Sequence, residues 1–118
     1  MRISPERFEE LTFEEAAHVL AQLPPDLRAE AETVILEIEE RAEDDRALLG
    51  LYQGVPLVER HVDSTLLAPD RITLFHETLQ TMARTETELR RQIRQTLIHE
   101  LGHFFGFDEA ELRRRGWG

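Results

Sequence analysis

Leu89, Ile93, Leu97, Leu101 and Phe105 recur at every fourth position. That spacing keeps one stripe of a helix apolar and predicts a buried helix of about five turns. Thr85-Glu86-Thr87-Glu88 forms a capping box at its start, and Gly106 is placed to end it with a left-handed residue. In a chain of only 118 residues, this helix is the strongest element available around which one core can form. The expected organisation is therefore a single domain over residues 1–118.

The remaining elements are shorter. Ser4-Pro5 marks a helix start, with serine as N-cap and proline at the first helical position. Phe8, Leu11, Ala16, Val19, Leu20 and Leu23 follow at helical spacing until Pro24-Pro25. A second cap pattern, Thr12 with Glu15, allows this stretch to divide into two short helices. Residues 33–39 are β-branched and alternating, so they read as a strand with Val34, Leu36 and Ile38 inward. Residues 47–58 are apolar but interrupted by Gly50, Gly54 and Pro56, the pattern of an edge strand or a shaped loop. Residues 71–76 alternate again and predict another strand. Asp108 and Glu111 open a short last helix that runs to Arg115.

Composition narrows the chemistry. Cysteine is absent, which excludes disulfides, thiolate metal sites and a cysteine nucleophile, so any metal must be held by His, Asp or Glu. Fourteen basic and 24 acidic residues give a net charge of −10, which repels phosphate backbones and disfavours nucleic acid as a partner. The N-terminus is charged almost at once. No apolar run approaches the ~18 residues of a membrane span. The expectation is a cytoplasmic monomer with no membrane partner.

The predicted long helix ends in His99-Glu100-Leu101-Gly102-His103, the H-E-x-x-H pattern. Two residues four apart lie on one helix face, about 6 Å apart along the axis. Both imidazoles can therefore reach one metal at about 2.0–2.1 Å. Glu100 lies about 100° round the helix, poorly placed to ligate the same ion but near enough to take a proton from a water beside it. Without cysteine, the natural completion is a three-ligand catalytic zinc site with an open position. His18 in the first helix, His61 in a loop and His76 at a strand end read as structural. Tyr52, between Gly50 and Gly54, reads as a packed aromatic, with oxyanion donation as its alternative. Arg113-Arg114-Arg115 reads as a solvated helix end that complements the helix dipole.

The segment from His99 to Glu109 resembles the long zincin form, H-E-x-x-H-x-x-G-x-x-(His/Asp/Glu). The whole chain is similar to a family of very small bacterial proteins described as minimal zincin-like metallopeptidases. The similarity extends to residues 4–8, 50–57 and 70–74. The resemblance implies an α+β fold, with a short sheet on an active-site helix and further helices at the N- and C-termini. It also implies a zinc peptidase acting on a peptide or protein substrate. By this resemblance Gly106 reverses the chain and Glu109 returns as third ligand beside His99 and His103, with Glu100 as general base. Asp108 competes with Glu109 for the ligand role, although a cap role for Asp108 would leave Glu109 available. Met82 precedes the helix, so the chain has no Met-turn. The substrate would add to an exposed strand edge, for which Leu49 to Gln53 is the best candidate.

Two other functions compete. The histidine spacing also resembles a metal-dependent ribonuclease family of ribosomal-RNA maturation, with its third ligand at the position of Glu109. That family is usually not acidic at the position of Glu100. A non-catalytic, zinc-stabilised interaction module is the third reading, because so small a domain gains much from a metal clip.

Overall fold

The predicted long helix forms, and the rest of the chain is arranged around it. In the computed structural model, which describes residues 1–55 and 69–115, the elements run in a fixed order. Helices α1 (Pro5–Ala21) and α2 (Pro25–Ala31) precede strands β1 (Ile35–Glu39), β2 (Gly50–Gln53) and β3 (Arg71–Phe75). Helices α3 (His76–Thr81), α4 (Glu86–Phe105) and α5 (Glu109–Arg114) follow. The fold is α+β: a three-stranded sheet in the order β1-β3-β2, with β1 parallel and β2 antiparallel to β3.

All five residues of the α4 stripe are buried, together with Ile72 and Leu74 of β3 and Phe8 and Leu11 of α1. β3 is the central strand, and Ile72, Thr73, Leu74 and Phe75 are all buried on it. Successive side chains of a strand point to opposite faces, so β3 is covered on both faces. Thr85 caps α4 as predicted, its Oγ1 accepting from Glu88 N–H at 3.1 Å. Glu88 reaches back one residue further than a standard capping box, accepting from Arg84 N–H at 2.7 Å.

Three expectations need correction. Residues 5–21 form one helix, not two. The Thr12–Glu15 cap is not made, because the buried Glu15 carboxylate is drawn across to Arg90 at 3.2 Å and Arg94 at 3.0 Å on α4. The second is an addition: the first run stops before Pro24-Pro25 as predicted, but a further short helix, α2, starts at Pro25. Pro24 stands at the N-cap of α2 and Pro25 is its first residue. Arg28 on α2 satisfies the carbonyls of Leu20 at 2.9 Å and Leu23 at 3.0 Å. Third, the strand predicted through His76 stops at Phe75, and His76 begins α3.

β2 is an edge strand, in line with one of the two readings of its segment. Phe75 N–H donates to Leu49 O at 3.0 Å. By antiparallel alternation Leu51 and Gln53 then also face β3, while the backbone groups of Gly50 and Tyr52 point to the outer edge. α4 crosses close to this strand. A Cβ on Gly50 would lie 2.6 Å from Thr96 Cγ2 and 3.4 Å from Glu100 Cγ. Only glycine allows that approach.

Asp108 caps α5, its Oδ1 accepting from Glu111 N–H at 2.8 Å. Asp108→Ala is therefore expected to cost the metal-free protein about 0.5–2 kcal/mol, read as a lower urea midpoint at unchanged slope.

Candidate metal centre

The last two turns of α4 carry His99 and His103, and helical geometry sets their side chains one above the other. Their Nε2 atoms lie 3.2 Å apart, with ring centroids at 4.7 Å and planes crossing at 86°. Two nitrogens bound tetrahedrally to one zinc at 2.0–2.1 Å stand about 3.3 Å apart. The spacing of this imidazole pair therefore fits a single ion.

The chain reverses directly after the pair. Gly106 takes φ 85°, Gly106 N–H donates to His103 O at 3.0 Å and Phe107 N–H to Gly102 O at 2.9 Å. This C-terminal turn needs a residue that tolerates the left-handed region. It delivers Glu109, the first residue of α5, to His99: Glu109 Oε1 stands 3.7 Å from His99 Nε2. Asp108, the competing acid, is occupied as the α5 cap.

Glu100 points from α4 toward the sheet edge and is 9% exposed. Its Oε1 accepts from Tyr52 N–H at 3.1 Å, so the outward backbone of β2 fixes the carboxyl. Burial pushes the Glu100 carboxyl above the ordinary range, while His103 and His99 act in the opposite direction. One ligand atom from each of His99, Glu100 and His103 lies within 4.8 Å of the others. The group opens on a groove of about 630 Å³ between residues 45–50 and the α4 residues Gln92, Gln95 and Thr96, with His99 and Glu100 in its lining. Two imidazoles, a returning carboxylate and a second, buried carboxylate can hold a divalent ion and move a proton next to it.

The other candidates fall elsewhere. His18 is exposed on α1. His76 lies against Phe8, with ring centroids 5.8 Å apart, and His61 lies outside the described residues. The Tyr52 hydroxyl donates to Asp70 at 2.7 Å, the use expected of a packed aromatic. Arg114 and Arg115 pair with Glu111, and Arg115 also lies over the Phe107 ring at 4.2 Å. Among the described residues no helix is long and apolar enough to cross a membrane.

A paired-imidazole helix beside a sheet edge, with a carboxylate returning after a glycine turn, is the arrangement of a zincin-like domain. A family model described as zincin-like metallopeptidase matches residues 25–117. The chain belongs to that family. A comparison with curated proteins gives no match.

Two contributions escape a reading of the sequence. The donor to Glu100 is the backbone of Tyr52, not its side chain, and a backbone N–H leaves no mark in residue identity. Gly50 reads as a strand breaker, yet its role is to let α4 approach. The signal was present in the glycine, but its partner Thr96 was not.

Proposed function

We propose that this protein is a zinc-dependent peptidase in which His99, His103 and Glu109 hold the ion and Glu100 is the general base. The observation that carries this reading is the 3.2 Å convergence of the two Nε2 atoms with Glu109 Oε1 3.7 Å from His99, beside a buried carboxyl and an open groove. Zinc bound there supplies Lewis acidity toward the scissile carbonyl and lowers the pKa of water toward neutrality.

The residues around the ion have separable tasks. Glu100 accepts the proton of the attacking water and returns it to the leaving amine. A carboxyl raised by burial toward the working pH suits both transfers. Tyr52 N–H holds Oε1, which limits the rotation of the carboxyl and leaves Oε2 to carry the proton. The peptide lies along the outer edge of β2, where the N–H and C=O of Gly50 point away from β3, and it occupies the groove beside α4. A net charge of −10 works against a phosphodiester substrate, so the bond cleaved is an amide.

The test is a peptide-library digest with zinc-loaded protein. Cleavage is expected to disappear on chelation and to return when zinc is restored. Cleavage unaffected by complete chelation would exclude the mechanism.

A further inference from the structure

The second residue after Glu100 in the histidine motif is Gly102, buried in the last turn of α4. Glycine within a helix costs up to about 1 kcal/mol relative to alanine, and what occupies the space beside this one supplies a local reason for it. Leu112 of α5, fully buried, sits directly against it. A Cβ at residue 102 would stand 2.3 Å from Leu112 Cδ2 and 3.3 Å from both Cδ1 and Cγ. Turning the terminal methyls about χ2 leaves Cγ in place, so a methyl at 102 must displace the leucine or the helix that carries it.

The same two helices make the Glu109–His99 approach. His99 and Gly102 are three apart on α4, and Glu109 and Leu112 are three apart on α5. Residues three apart are neighbours on a helix surface. The Leu112–Gly102 contact therefore lies one turn from the Glu109–His99 pair and on the same side of each helix. Glu109 has a long, exposed side chain with 61% of its surface accessible. Among the described contacts, no packing of its own holds it toward His99.

We infer that Gly102 and Leu112 form a seat that sets the position of α5 and thereby brings Glu109 to the imidazole pair. Gly102 and Leu112 are positioning residues, acting on the ion only through Glu109. The inference rests on the ligand set proposed above.

The experiment compares wild type, Gly102→Ala, Leu112→Ala, the double variant and Glu109→Ala. Zinc affinity is measured by chelator competition, and the visible spectrum is recorded with saturating cobalt(II). Gly102→Ala is expected to weaken zinc binding by about 10–100-fold, the range for residues that orient metal ligands. Its cobalt spectrum should shift toward that of Glu109→Ala. Leu112→Ala should do the same. The double variant, with room for the new methyl, should bind zinc more tightly than Gly102→Ala alone. Alanine favours helix over glycine, so a weakened helix cannot account for the loss. Melting of the metal-free proteins reports folding, and Leu112→Ala alone decides the matter if Gly102→Ala does not fold. If Glu109→Ala weakens binding but neither seat variant changes affinity or spectrum, the seat is wrong and the ligand set stands. If Glu109→Ala itself binds zinc like wild type, the ligand set is wrong and the seat falls with it.

Discussion

Glu100→Gln is expected to lower peptide hydrolysis by about 10²–10⁴-fold, the contribution of positioned acid–base catalysis, while one zinc per chain stays bound. Glutamine keeps the shape of the side chain and an oxygen that can accept from Tyr52 N–H, but it cannot take a proton from water. The comparison separates an enzyme from a zinc-stabilised module, whose affinity for a partner would not respond to this change. Wild-type turnover in the purified variant would remove Glu100 from the mechanism.

The same variant carries a signature in stability. Burial raises the Glu100 carboxyl pKa in the folded protein, so the folded state binds its proton more tightly than the unfolded chain does. The stabilisation this gives is fully present below the unfolded value, near 4.3. It is lost as pH rises through the folded value. Metal-free wild type should therefore lose stability over that window relative to Glu100→Gln. Urea titrations across pH 4–8 measure the difference. Parallel curves for the two proteins would mean that folding does not raise the carboxyl pKa.

His99→Ala and His103→Ala should each abolish stoichiometric zinc, and with it the stabilisation that zinc confers. A ligand that binds only the folded state adds about 2.7 kcal/mol at a free concentration of 100 times Kd and about 4.1 kcal/mol at 1,000 times. Thermal melts with and without zinc should diverge for wild type and coincide for both variants. Elemental analysis of untagged protein gives the stoichiometry directly. Zinc content that survives both substitutions would place the ion elsewhere in the chain.

Much of the centre is readable because it is local. The pairing of His99 with His103 follows from helical pitch alone, and the stop at Gly106 follows from the conformational freedom of glycine. The caps at Ser4, Thr85 and Asp108 each use a hydrogen bond spanning three residues. Their energies are decided within one or two turns, so sequence spacing is sufficient to find them. The short helices α2 and α3 are not readable in this way. At seven and six residues they are too short for a periodic signal, and helices of that length depend on tertiary packing.

The amino-acid sequence by itself determined the α4 stripe, the reversal at its end and the chemical identity of the donors. The tertiary structure alone decided what surrounds them. Tyr52 N–H meets Glu100 across 48 residues of chain, and Glu15 meets Arg94 across 79. Gly50 and Gly102 are defined by Thr96 and Leu112, the side chains that occupy the space they leave. Helical period and capping are properties of neighbours in the chain. A desolvated carboxyl, a strand edge beside a helix and a leucine over a glycine arise only when distant elements dock, since each depends on excluding water and on filling a volume that no single segment encloses.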